Sequence, residues 1–118
     1  MYNIPFGKPM IGFEEKEAVS KVMDGSILVH GPISTEFEKN FAEYIGTKNA
    51  VGCNSGTSAL ELIFESIEVE GKEVVVPSNT FLATVIAIRN AGGIPVFADC
   101  NDQMCLDFES TIKKVSSK

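Results

Sequence analysis

In Ala50-Val51-Gly52-Cys53-Asn54-Ser55-Gly56-Thr57-Ser58-Ala59 an apolar, strand-like run turns into a helix without a spacer. A helix start leaves its first backbone N–H groups without intrahelical acceptors, and Gly56 has no Cβ to keep an anion away from them. Thr57 and Ser58 add hydroxyls beside the amides, and the positive end of the helix dipole points at the same place, which makes a seat for a phosphate. The same residues also read as ordinary capping. Asn54, Ser55, Thr57 and Ser58 are all good N-cap types, Ser58-x-x-Glu61 fits a capping box, and many such turns bind nothing. A third pattern fails: Gly52-x-Asn54-x-Gly56 has the spacing of a nucleophile elbow but asparagine at its centre.

Downstream of the turn, strands and helices alternate. A helix to about Val69, with Ala59, Leu60, Ile63, Phe64 and Ile67 inward, leads to the β-branched run Glu73-Val74-Val75-Val76-Pro77. Ser78-Asn79-Thr80 can cap a helix from about Phe81 to Asn90, closed by Ala91-Gly92-Gly93. Ile94-Pro95-Val96-Phe97-Ala98 reads as another strand with Asp99 at its carboxyl end, and Asp107 can cap a last helix through Val115. With a strand at 49–54, this alternation predicts βαβ units and a parallel sheet, whose ligands gather at the carboxyl ends of strands. Phe81, at such an end, either packs a helix or offers its ring to a flat ligand whose phosphate sits at Gly56–Ser58.

Upstream, Pro5, Gly7, Pro9 and Gly12 favour an irregular arm over 1–12. Ala18, Val19, Val22 and Met23 recur at helical spacing from Phe13 to Asp24, with Gly25 placed as a C-terminal glycine. Residues 26–33 connect to a second helix that Thr35-x-x-Glu38 would cap, with Phe37, Phe41, Tyr44 and Ile45 as a core-facing stripe and Gly46 as its end. His30, the one histidine, reads as a packing or loop residue.

The 118 residues carry ten basic and sixteen acidic side chains, a net charge of −6, without the Lys/Arg cluster a nucleic-acid face requires. Met1–Pro5 lacks the pattern of a signal peptide, and the apolar stretch 81–88 is too short to span a bilayer, so no membrane partner and a cytoplasmic location are expected. Cys53, Cys100 and Cys105 have no metal-ligand spacing; they read as reduced thiols, with Cys53 buried, and no metal site is expected.

Read together, the segments carry a resemblance. Gly31-Pro32; Glu36-Phe37-Glu38 through Tyr44-Ile45-Gly46; Ala50-Val51-x-x-Asn54-Ser55-Gly56-Thr57-Ser58-Ala59-Leu60; Glu73-Val74-Val75-Val76-Pro77-Ser78-x-Thr80-Phe81; and Ala91-Gly92-Gly93-x-Pro95-Val96-Phe97-x-Asp99 run in one order. Over almost its whole length the chain resembles the amino-terminal part of the DegT/StrS family of pyridoxal-phosphate-dependent sugar aminotransferases. The resemblance implies an α/β, three-layer large domain of the aspartate aminotransferase fold type I, with a mostly parallel sheet and flanking helices, incomplete here. It divides the chain into an arm, first helix and connecting segment over 1–33 and the first part of the cofactor-binding domain over 34–118. It implies pyridoxal 5'-phosphate held by Gly56, Thr57 and Ser58, with Phe81 stacked on its ring. The substrates it implies are a nucleotide-linked keto sugar and an amino-acid donor, used for cell-surface polysaccharide or antibiotic sugars; some relatives are dehydratases.

In that family the aspartate facing the pyridine nitrogen and the lysine that carries the cofactor come later than residue 118. No lysine here takes that place, and Asp99 matches a structural position, so no catalytic residue is assigned. The chain alone is expected to be inactive as a transaminase and to self-associate as a homodimer or higher oligomer through uncovered apolar surface. The alternative is a non-catalytic phosphate-ligand module that completes a partner chain.

Overall fold

The structure, a computed structural model, describes residues 7–115. The first six residues of the expected arm lie outside them. Two compact units follow each other along the chain, one through Gly52 and one from Cys53 onward.

The first unit holds α1 (Phe13–Met23) and α2 (Pro32–Ile45). Glu15 reaches back from the first turn of α1 and accepts the Gly12 N–H at 2.6 Å. Its own N–H and that of Gly12 hold its carboxyl below the ordinary carboxylate value. Asp24 is the C-cap, and Gly25 stays out of the left-handed region that the sequence expectation gave it. Its N–H instead closes a tight turn onto the Val22 carbonyl at 3.0 Å.

Helix α2 begins earlier than Thr35-x-x-Glu38 predicts. Gly31 is its N-cap and Pro32 stands at N1, where a missing N–H costs nothing and the fixed φ already suits a helix. Thr35 therefore falls inside the first turn, with its Oγ1 3.4 Å from the Gly31 carbonyl. Gly46 ends the helix as expected, at φ +79°. The aromatic stripe is not a core. Phe37 and Phe41 pack on each other with centroids 5.8 Å apart, but both are exposed, Tyr44 is 86% exposed, and only Ala42 of α2 is buried. An amphipathic face is buried only when another element covers it, and the described residues supply none here.

The second unit comprises α3 (Gly56–Ser66), β1 (Glu73–Pro77), α4 (Leu82–Asn90), β2 (Ile94–Ala98) and α5 (Phe108–Lys114). β1 and β2 pair in parallel, from Glu73↔Ile94 to Pro77↔Ala98, with α4 as the crossover. The ladder is flanked by Ile94 N–H to the Lys72 carbonyl and Ser78 N–H to the Ala98 carbonyl, each 2.8 Å. Because successive residues of a strand turn their backbone groups to opposite sides, Pro77 and Pro95 both occupy outward-facing positions. Val69, Val76, Ala87, Ile88 and Ala98 form the core, and Ile88 is its largest fully buried side chain. Gly92 at φ +77° turns the chain from α4 into β2.

The expected strand at 49–54 does not form; those residues are irregular, and the sheet has two strands. A strand exists only by hydrogen-bonding to a neighbour, and no third strand among the described residues offers it a ladder. Helix α3 also stops short of Val69, at Ser66, with Glu68 at φ +54° in the turn that follows. On its apolar side Leu60 and Phe64 are half-buried, whereas Ile63 and Ile67 are exposed.

Candidate functional site

Ser55 is the N-cap of α3. Its backbone is extended, at φ −160° and ψ 159°, and its Oγ accepts the Ser58 N–H at 3.1 Å. This cap displaces the predicted Ser58-x-x-Glu61 box, because the bend comes three residues earlier; Glu61 instead accepts from the Asn90 side chain. The Ser58 hydroxyl donates to Asn54 Oδ1 at 2.8 Å and lies 3.0 Å from the Ser55 hydroxyl. A tight Asn54–Ser55–Ser58 cluster therefore frames the turn.

The cluster leaves specific donors open. Among the described residues, the N–H groups of Gly56 and Thr57 have no acceptor, as the first two positions of a helix must. A Cβ built on Gly56 meets nothing within 4 Å, so the space over these amides is open. Ser58's proton is committed to Asn54 and Ser55's therefore to the Ser58 oxygen, so the hydroxyl donor left to turn to an anion is that of Thr57. Sequence reasoning placed Ser55 only among the possible caps; its position three residues before the Ser58 amide was the signal for its actual role.

Phe81 is the N-cap of α4, without a side-chain cap bond, and is 82% exposed. The predicted cap by Ser78-Asn79-Thr80 is not made; Thr80 Oγ1 pairs with Thr84 Oγ1 at 3.1 Å instead. Asn90, which meets Glu61 of α3, closes the other end of α4, about 13 Å of helix away from Phe81. The ring thus stands free at the carboxyl end of β1, and makes no hydrogen bond or ring pair with the turn at 54–58 among the described residues.

At the neighbouring strand end, Cys100 Sγ accepts the Asn79 N–H at 3.4 Å. The Asp99 N–H bonds Ser110 Oγ at 2.9 Å, and the Asp99 carbonyl accepts the Asp107 N–H at 2.9 Å. Asp99 therefore fastens α5 to the sheet, and Asp107 caps that helix through the Ser110 N–H at 2.7 Å. None of the three cysteines forms a disulfide among the described residues. Cys53 is exposed, contrary to its predicted burial, because a residue outside a ladder has no sheet face to turn inward.

In the first unit, Glu38 accepts the Gly52 N–H at 2.7 Å through Oε1 and stands 3.8 Å from His30 Nε2 through Oε2. His30 thus has an acidic neighbour eight residues on, which two turns of α2 bring back to it. Among the described residues no cluster of His, Cys, Asp and Glu could hold a metal ion, and no helix is long and apolar enough to cross a membrane.

The parallel βαβ unit with its flanking helices is a fold shared with sugar aminotransferases. The chain is similar to the putative sugar aminotransferase Spr1654 from Streptococcus pneumoniae in its PLP-form, with a TM-score of 0.90 and 34% identity over 98% of this chain and 30% of that one. The chain belongs to the DegT/DnrJ/EryC1/StrS aminotransferase family, whose model matches residues 9–118. It is 38% identical over 100 residues to the spore coat polysaccharide biosynthesis protein SpsC of Bacillus subtilis, 84% of this chain and 26% of that protein. It is 36% identical over 109 residues to the GDP-perosamine synthase of Caulobacter vibrioides, 91% of this chain and 29% of that protein. The chain thus spans between a quarter and a third of these relatives.

Proposed function

We propose that this chain forms the phosphate-holding part of a pyridoxal-phosphate-dependent aminotransferase acting on nucleotide-linked keto sugars, with an amino acid as donor. The observation that carries this reading is the pair of uncommitted amides at Gly56 and Thr57 beneath open space. Gly56, Thr57 and Ser58 hold the phosphate: the two amides and the Thr57 hydroxyl donate, and the Ser58 amide and hydroxyl hold the turn in shape through Ser55 and Asn54. Phe81 stacks on the flat ring and keeps water from one of its sides. When bound, the cofactor supplies the electron sink for moving an amino group.

A covalent anchor must come from elsewhere than the second unit's described lysines. Lys72 precedes the amino end of β1, at the opposite end of the strand from the seat, and Lys113 and Lys114 lie in the last turn of α5. The chain by itself therefore binds without transaminating. In this reading residues 1–33 are the arm and connecting segment, 34–118 open the cofactor-binding domain, and reduced thiols fit the cytoplasm.

The test is a titration of the 118-residue chain with pyridoxal phosphate and with pyridoxal. Saturable binding that requires the phosphate, without glutamate-dependent conversion of a keto sugar, is the expected result. Equal affinity for both compounds, or turnover by the pure chain, overturns the reading.

The same observations support a second reading, a phosphate-ligand module that completes a lysine-bearing partner chain; co-purification of such a chain from the native host distinguishes it. In either case the exposed Phe37, Tyr44, Ile45 and Phe81 favour self-association. Sedimentation is expected to show dimers or larger species, and a monodisperse monomer at moderate concentration is the contrary outcome.

A further inference from the structure

Helix α3 opens on the turn at Gly56–Ser58 and packs mainly against α4, which in turn lies on β1 and β2. Where that turn stands relative to Phe81 is therefore decided at the contact between these two helices. Apolar side chains are buried on both, with Leu60 and Phe64 half-buried on α3 and Ala87 and Ile88 fully buried on α4. Such burial has no direction, and packed helices slide past one another by small amounts. The directional contact is a side-chain hydrogen bond: Asn90 Nδ2 donates to Glu61 Oε1 at 2.5 Å, 29 positions away in sequence. Its acceptor is a carboxylate, which makes it stronger than a neutral pair. Glu61 is half-buried and stands one helical turn beyond Thr57 on the same side of α3, because positions four apart share a face. Asn90 is the last residue of α4, and Phe81 is the cap at its start. The carboxyl end of α3 is held separately. Val69, which follows it, is buried with its Cγ2 3.2 Å from where a Cβ on Gly93 would stand, and its N–H bonds the Phe64 carbonyl at 3.3 Å.

We propose that Asn90 and Glu61 are positioning residues that set the distance between the phosphate seat and the Phe81 ring; the inference rests on the roles given to both above. Neither side chain touches the ligand. Val69 holds the carboxyl end of α3 and the Asn90 bond holds its middle, and two points fix the line of a helix. Without the second, the amino end swings about the first. An ion held by the Gly56 and Thr57 amides travels with α3 and does not sense the swing. A ligand that joins a phosphate to a flat ring does sense it, because its ring must reach a side chain at the start of another helix. The pair therefore favours ligands of that two-part kind over anions in general, by setting both contacts before the ligand arrives.

The experiment titrates the 118-residue chain and its variants with inorganic phosphate and with pyridoxal phosphate, with circular dichroism recorded on each. Asn90→Ala is expected to weaken pyridoxal phosphate binding about three- to tenfold, the scale of one hydrogen bond, and to leave the affinity for inorganic phosphate within about twofold of the wild type. Glu61→Ala does the same. Glu61→Gln, which keeps an acceptor oxygen for the Asn90 amide, retains most of the affinity. Asn90→Asp sets two carboxylates together and loses at least as much as Asn90→Ala. Combining Asn90→Asp with Glu61→Gln, so that amide and carboxylate exchange helices, recovers the loss and covers the case in which a single variant fails to fold. Equal losses for the two probes overturn the inference, and so does a folded Asn90→Ala chain that binds pyridoxal phosphate as the wild type does; both outcomes leave the seat standing. A wild type that binds neither probe refutes the seat and the inference together.

Discussion

Replacing Gly56 by valine lowers affinity for pyridoxal phosphate by at least about tenfold and leaves the fold standing. The two halves of this expectation rest on different facts. Gly56 is the first residue of α3 with φ outside the left-handed region, and its Cβ would meet no protein atom within 4 Å. A Cβ there meets no resistance from the folded chain, and valine is no worse than glycine as a helix former. The space the valine methyl groups fill is the approach to the two open amides, so the loss falls on the ligand. Tenfold corresponds to about 1.4 kcal/mol, within the worth of one hydrogen bond to a charged group. Thermal melts followed by circular dichroism, run beside the titration, separate the effects. Unchanged affinity in a folded Gly56→Val chain means that the anion does not sit on these amides.

Ile88→Ala is expected to destabilise the second unit by about 2–5 kcal/mol. Ile88 has no exposed surface, and Ala87 beside it is equally buried. Its Cγ2 lies 3.0 Å from where a Cβ on Gly93 would stand, so the side chain fills the space that glycine leaves at the entrance to β2. Removing it opens a cavity at the point where α4 meets the sheet, next to the backbone hydrogen bond from Gly93 N–H to the Ile88 carbonyl at 2.9 Å. A small domain has about 5–15 kcal/mol in all, so a loss of this size brings the unit near unfolding at ambient temperature. Urea denaturation measures it as a lower midpoint at constant slope. A cost below about 1 kcal/mol contradicts the placement of the core around Ile88.

Sequence periodicity made β1, α4 and β2 legible because their partners lie close along the chain: a crossover helix and two strands bury one another within twenty-six residues, Glu73 to Ala98. It misled where the partner is remote. The run at 49–54 has strand chemistry without a ladder, and Phe37, Phe41 and Tyr44 have a core pattern without a cover. At the turn before α3, residue types marked the helix start, but several adjacent capping residues left open which one caps. The extended backbone of Ser55 decides it, and a string of side chains does not display a dihedral angle. Glu38's bond to Gly52 was invisible for a related reason: no local rule links positions fourteen apart when one of them contributes only its amide.

The outward prolines of the two strands bear on how copies of this chain meet. Pro77 and Pro95 each put a ring where a lateral donor would stand, one on either margin of the sheet. An incoming strand finds one rung missing whichever side it approaches, which weakens the addition of a strand from another copy. Contact between copies is therefore expected on the exposed apolar helix surfaces, as clusters that dissociate on dilution and keep the circular dichroism of the single chain; fibrils in a thioflavin assay are the contrary outcome.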